Sequence, residues 1–292
     1  MALTPVFQSA LRADCDERAL VMSAVDIASA IDFDGLHYLL LVDAADRERA
    51  LTHLRSYDIE SRRAPPLPAP PRLYPNAWIG CLLYLVLLVG VGLAVSNGWW
   101  RLDAFEVGEL DAGRVQHGQW WRAWTALTLH LDIAHLAANS AAGIWFGYLA
   151  ARQIGSGNAW FLIVSGAALA NLFEGQFGPA THRAVGASTA VFTALGLLAA
   201  HSWRSRYRYP QPWAQRWGPL VAGAVLLGWF GSAGEGTDIV AHALGFTIGC
   251  LLGVWAAWAP VERALRRVPQ RLTGAAAVAS LAIAWTCALL RG

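Results

Sequence analysis

The chain has 292 residues, 56% of them hydrophobic and only 14% charged, with 15 tryptophans and a mean hydropathy of +0.39. A water-soluble domain of this size has no use for that composition, which reads as a polytopic membrane protein. The net charge of +2 hides a split, with 11 acidic side chains against 5 arginines in residues 1–60 and 9 against 17 in the remainder; the overall value therefore says little about a nucleic-acid partner, whereas the split suggests an acidic, soluble head on a basic membrane body.

The head comes first. Over residues 17–58 the stretch ERALVMSAV has helical spacing, HYLLLVD reads as a short strand and AADRERALTHLRSY as an amphipathic helix, so a small α/β domain of modest stability is expected. Asp14, Asp16, Glu17 and Asp26 interrupt the first 30 residues. No cleavable secretion signal is expected there, and the first membrane span takes over targeting. RRAPPLPAPPRLYP, residues 62–75, holds six prolines and can continue neither helix nor sheet. The expected domains are therefore a cytoplasmic head over 1–61, a linker over 62–75, a membrane core over 76–258, and a cytoplasmic loop with a last span over 259–292.

Seven apolar stretches follow, near 77–96, 130–150, 159–174, 185–202, 217–231, 239–258 and 274–290, each about the length that ~1.5 Å per residue needs to cross ~30 Å of hydrocarbon. Arg62, Arg63, Arg72, Arg152, Arg204, Arg206, Arg208, Arg216, Arg263, Arg266, Arg267 and Arg271 fall on the N-terminal side of the membrane; Arg101, Arg114, Arg122, Arg183 and Arg291 fall on the other. By the positive-inside rule the N-terminus is cytoplasmic and the C-terminus outside, in a bacterial inner membrane. The long outer segment 97–129 carries Trp99, Trp100, Trp120, Trp121 and Trp124 and is expected to lie in the headgroup layer. Cys15, Cys81, Cys250 and Cys287 match no metal or redox spacing and read as small core residues.

Spans two, four and six all enter from outside, and each carries polar residues in its first turns. These are His130, His135 and Asn139 in HLDIAHLAANS, Gly186 and Ser188 in AVGAST, and Asp238 and His242 in DIVAHALG. A lone serine in a membrane helix usually bonds back to its own backbone. Three helices with polar groups at one depth suggest instead that they face one another around a water-filled cavity, since each would be costly in lipid. Serine needs a neighbouring base, and His242 is the candidate. His135 and Asn139, four apart, share a helical face and can aim two donors at one developing oxyanion. His130, about 140° away on a continuous helix, reads as a structural bond at the loop end. Asp238 reads as the N-cap of span six rather than a triad acid. A metal held by His130, His135 and His242 is the other enzyme reading, but the i, i+5 spacing is poor and no carboxylate or thiolate completes the set, so no metal and no cofactor is expected. The inner halves of spans two, four and six read as apolar, which disfavours a transporter.

In the order Trp121-Arg122, H-x4-H-x3-N (His130, His135, Asn139), G-x-S (Gly186, Ser188) and A-H-x-x-G-x-x-x-G (Ala241, His242, Gly245, Gly249), residues 77–258 resemble the rhomboid intramembrane serine proteases. The resemblance implies an all-α polytopic membrane protein, a six-helix rhomboid core to which this chain adds one C-terminal transmembrane helix and the small N-terminal α/β domain. It implies a Ser-His dyad that cuts transmembrane protein substrates in or near the lipid bilayer, without nucleic acid and with oligomeric state open. Ser188 would be nucleophile and His242 base; His135, Asn139 and the Ser188 N–H would form the oxyanion site; and Phe192 would pack on the catalytic imidazole. Gly245 and Gly249 would let span six approach span four. The alternative is a catalytically silent rhomboid-like factor that binds or surveys membrane proteins. Two departures stand out. Thr189 replaces the usual glycine after the nucleophile and is expected to narrow the cavity or alter substrate approach. Ala151 and Arg152 stand where a glutamate often anchors the inner end of span two.

Overall fold

The computed structural model describes residues 3–63, 73–99, 103–207, 212–231 and 238–291, the side chains of Arg62 and Arg63 excepted. Most of the proline tract, 64–72, lies outside them, as do Trp100, Arg101 and Arg208. Contacts divide the chain into two units, Met1–Ala69 and Pro70–Gly292.

The first unit contains β1 (Leu3–Ser9), α1 (Arg12–Ala24), β2 (Ser29–Phe33), β3 (Tyr38–Asp43) and α2 (Arg47–Arg63). The strands form an antiparallel sheet in the order β1-β3-β2. The sequence reading anticipates only β3, whose alternate residues Leu40 and Val42 are fully buried with Met22, Ala50 and Leu54. The edge strands give weaker signals. β1 contains Pro5, tolerated at an edge where the register shifts between Pro5 and Phe7, and β2 is largely exposed. Arg18 ties α1 to α2 through Asp58 at 2.7 Å while its guanidinium lies 3.9 Å over the Phe7 ring.

The second unit is all helix apart from one short two-stranded pair. After α3 (Trp78–Ser96) the outer segment folds into α4 (Ala104–Gly108), β4 (Leu110–Asp111), α5 (Ala112–Gln116) and α6 (Arg122–Thr125). Then come α7 (Ile133–Ile154), α8 (Ser156–Phe177), β5 (Arg183–Ala184), α9 (Ser188–Arg206), α10 (Trp213–Gly231), α11 (Ile239–Ala256), α12 (Ala259–Arg267) and α13 (Gln270–Arg291). Among the described residues α3, α8, α11 and α13 are long and apolar enough to cross a membrane. Helices α7, α9 and α10 are as long, at 22, 19 and 19 residues, but carry polar and charged side chains that lower their mean hydropathy. The body is that of an all-α polytopic membrane protein.

Helices in lipid gain little from hydrophobicity and associate by close packing of small residues. α9 and α11 do so along most of their length. A Cβ on Gly249 would stand 2.2 Å from the Thr193 carbonyl oxygen, and one on Gly245 would stand 2.7 Å from the Thr189 carbonyl oxygen. Gly196, facing Phe246 O, and Gly253, facing Leu197 O, extend the seam beyond the pair picked from sequence.

The outer segment is held by its own buried polar groups. Arg122 is fully buried, and its guanidinium donates to Gln119 Oε1 at 2.7 Å and to the carbonyls of Glu109 and Glu106 at 2.8 Å each. Trp121 packs inward, whereas Trp99 and Trp120 are exposed apolar rings of the kind that suits a headgroup layer. From the far end of the chain, Trp285 of α13 packs against Gly108 and donates its indole N–H to Thr128 Oγ1 at 3.0 Å. The last helix thus supports the segment that leads to His130.

At the other end of α7 the missing glutamate has a substitute. Gln153 Nε2 donates to Ser202 Oγ at 3.0 Å, and His201 Nδ1 donates to Gln153 Oε1 at 2.7 Å. The polar anchor between α7 and α9 is therefore present, two residues beyond Ala151. This also corrects the expectation that the inner halves are apolar throughout.

Candidate active site

Ser188 begins α9, and the glycine two residues before it explains how. Gly186 has φ +132°, a conformation L side chains rarely adopt, and a Cβ there would stand 2.8 Å from both Cε1 and Nε2 of His135. Glycine thus permits the turn and leaves room for the imidazole. Ala187, the next residue, provides no side-chain cap, so the first N–H groups of α9 lack intrahelical acceptors and remain available to an anion.

The helix carrying His135 and Asn139 starts three residues later than a continuous span from His130 would require. Asp132 caps it, accepting from His135 N at 2.7 Å. The angular argument used for His130 therefore does not apply, because His130 precedes the helix. Its Nε2 accepts from Ala187 N at 3.3 Å, and its ring meets His135 edge to face at 5.1 Å. Asn139 is buried and fixed from behind, its carbonyl accepting from Tyr84 OH at 2.9 Å. Among the described residues its side-chain Nδ2 has no hydrogen-bond acceptor. A buried donor left unused is costly unless something arrives to take it.

His242 sits on α11, one turn after Asp238, whose Oδ1 accepts from Ala241 N at 3.0 Å and caps the helix. Its ring lies 4.4 Å from Phe192, tilted by 37°. Nδ1 is 2.9 Å from the carbonyl oxygen of Gly231 at the end of α10. A carbonyl can only accept, so Nδ1 carries the proton and Nε2 keeps its lone pair. Gly231 was not identified from sequence and could not be, because the acceptor is a backbone atom on a different helix.

Ser188, His242, His135, Asn139 and Phe192 all line one open cavity of about 1650 Å³. Among the described residues no hydrogen bond joins Ser188 Oγ to His242. Thr189 does not narrow the cavity as expected. It is 3% exposed, its methyl lies 3.2 Å from where a Gly245 Cβ would be, and its carbonyl accepts from Thr193 Oγ1 at 2.7 Å. Its bulk goes into the α9–α11 seam. Gly245, Gly249, Trp121 and Arg122 lie behind the cavity as packing and loop residues.

The cavity wall also contains a group the sequence reading passed over: Glu174 near the end of α8, His182 before β5, and Asp238. The available signal was a glutamate inside an otherwise apolar helix.

Residues 117–259 match the Rhomboid domain family. The chain is 32% identical over 117 residues to Rhomboid protease GluP of Bacillus subtilis (strain 168), an alignment covering 40% of this chain and 22% of that relative. It is 28% identical over 187 residues to Putative rhomboid protease YdcA of the same organism, covering 62% of this chain and 88% of the relative. The chain thus spans about a fifth of the length of the first relative and most of the second. The matched segment is the one that holds the serine, the histidine and the seam bringing their helices together, and the chain belongs to the rhomboid family of membrane proteins.

Proposed function

We propose that this chain is an active intramembrane serine protease, an integral protein of a bacterial plasma membrane that cleaves other membrane proteins in or near their transmembrane segments. Its catalytic body is a six-helix core of α3 and α7–α11 within residues 76–258. Residues 259–292 add a seventh span, and the head, residues 1–61, is cytoplasmic, joined by the linker 62–75. The arginine asymmetry supports this orientation, with the C-terminus outside.

Ser188 attacks the scissile carbonyl while Nε2 of His242 takes the hydroxyl proton. The Gly231 carbonyl holds Nδ1–H, orients the ring and steadies the imidazolium, a task that an aspartate performs in soluble triads. Negative charge builds on the carbonyl oxygen and meets Nδ2 of Asn139, the imidazole of His135 and the N–H of Ser188. His242 returns its proton to the departing amine. Water entering through the open cavity then hydrolyses the ester on Ser188, with His242 again as base.

The observation that carries this reading is the contact of His242 Nδ1 with Gly231 O at 2.9 Å, which in the neutral ring places the proton on Nδ1 and the lone pair on Nε2, within the cavity that contains Ser188. Labelling of membranes with a serine-directed fluorophosphonate tests it. The native chain is expected to label and Ser188→Ala is not. A native chain that stays unlabelled and leaves transmembrane reporters intact is the silent, client-binding member of the family instead.

A further inference from the structure

Glu174, His182 and Asp238 come from three elements of the second unit and offer one ligand atom each, all within 4.8 Å of one another. His182 Nε2 stands 3.0 Å from Asp238 Oδ2 and 3.6 Å from Glu174 Oε1. The first of these is hydrogen-bond distance and the second is beyond it, and among the described residues Nε2 of His182 and Oδ2 of Asp238 have no partner in hydrogen-bond alignment. Glu174 is 6% exposed, and its Oε2 is likewise without a partner. Three ligand atoms this close together could share one ion.

The frame is built before any ligand arrives. Glu174 is held by the end of α8, where Gly178 N donates to its carbonyl at 2.7 Å and Gln116 Nε2 donates to the carbonyls of Gly175 and Gly178 at 3.1 Å each. The carbonyl of His182 accepts from Ala112 N at 3.1 Å. Asp238 uses Oδ1 to cap α11, and its Oδ2 stands 3.0 Å from His182 Nε2. The nearby cation Arg183 is occupied by Glu109 at 3.1 Å and Asp111 at 3.3 Å. With both carboxyls ionised, two negative charges would stand in this partly desolvated wall, and the Glu174 and Asp238 side chains are within hydrogen-bond reach of each other. A proton shared between the carboxyls would remove one of them; a divalent cation would remove both.

We propose that Glu174, His182 and Asp238 form a binding site for a first-row divalent cation, best matched by Zn²⁺, in the wall of the cavity and clamping the first turn of α11 to α8. One imidazole and two carboxylates make a three-ligand set that leaves a fourth position for water. Tetrahedral ligation at ~2.0–2.2 Å sets ligand atoms roughly 3.3–3.6 Å apart; the two separations from His182, 3.0 and 3.6 Å, bracket that range, and all three atoms lie within 4.8 Å of one another. Mg²⁺, which demands near-octahedral oxygen ligation and keeps its waters, fits this set poorly.

The proposal is independent of whether Ser188 is a nucleophile, because its test reads binding rather than cleavage. The full-length chain, purified in detergent and stripped with chelator, is titrated with ZnCl₂ by calorimetry and by thermal unfolding. One saturable site and a rise in Tm are expected. Glu174→Gln and His182→Ala, both near-normal in metal-free Tm, should bind at least tenfold more weakly and lose the Tm rise, while His117→Ala, at an exposed histidine elsewhere, should behave as the native chain. If His182→Ala folds poorly, His182→Gln replaces it. Absence of saturable binding, or native affinity in either ligand variant, overturns the site.

Discussion

Gly249→Ala sets two opposing effects against each other at one atom. In an unconstrained helix interior the change stabilises by about 1 kcal/mol, because alanine has less backbone entropy to lose. At this position the new Cβ would stand 2.2 Å from the Thr193 carbonyl oxygen and 3.0 Å from Leu197 N, whereas ordinary contact starts at 3.4 Å. Both obstacles are backbone, so no rotamer change relieves them, and α9 must move by about 1.2 Å, the difference between 3.4 and 2.2. Overpacking of that order costs ~1–3 kcal/mol, which outweighs the gain in propensity. The displacement falls on the two helices that carry Ser188 and His242, and a misplacement of about 1 Å is enough for a loss on the order of 10² in rate. Gly90→Ala on α3 is the control, since nothing lies within 4 Å of a Cβ there. The assay is thermal unfolding in micelles together with cleavage of a transmembrane reporter at matched protein levels. Gly90→Ala should equal or exceed the native Tm with full cleavage, and Gly249→Ala should fall on both measures. A Gly249→Ala protein as stable and as active as the native one would refute the close-packing argument.

Ser188→Ala and His242→Ala should each reduce reporter cleavage to background, and the double variant should be no worse, since groups that act as a unit are not additive; Asn139→Ala should lose on the order of 10² to 10³ yet stay measurable, because the other oxyanion donors remain. Gln153→Ala should lower Tm, by an amount corresponding to ~1–3 kcal/mol, because it leaves His201 and Ser202 without this partner at the inner end, while cleavage per folded molecule changes little. Trp285→Ala should destabilise by ~3–5 kcal/mol through the cavity it leaves under the outer segment, and an unchanged Tm would mean that α13 only accompanies the core. Deleting residues 1–69, the whole first contact unit, should leave a membrane-inserted protein that still cleaves, since that unit provides none of the proposed catalytic groups.

Helical periodicity and alternating topology are local rules, and they suffice to single out His135, Asn139, Ser188 and His242, which line one cavity. What escaped them was tertiary. The outer segment has no periodic run, and its short helices α4–α6 persist because one buried guanidinium on Arg122 satisfies carbonyls 13 and 16 residues away. Gln153 is unremarkable in sequence, and its partners lie 48 and 49 residues further on. The Gly231 carbonyl exists at every residue and acquires meaning only through its place. Thr189 turns into the α9–α11 seam, a direction that no local rule gives, because it depends on which face of α9 the neighbour α11 approaches. The sequence points to one carboxylate oxygen of Asp238, the cap, while the other stands beside His182, which only the fold brings near.

The bond from Trp285 to Thr128 joins residues 157 apart. Synthesis proceeds from the N-terminus, so Ser188 and His242 leave the ribosome well before the indole that completes the packing under the outer segment. Long-range contacts of this kind form late and close large loops when they do. The final shape of the segment leading to His130 is therefore a property of the finished chain, and a half-made protein in the translocon holds its serine and histidine beside a floor that has not yet been laid.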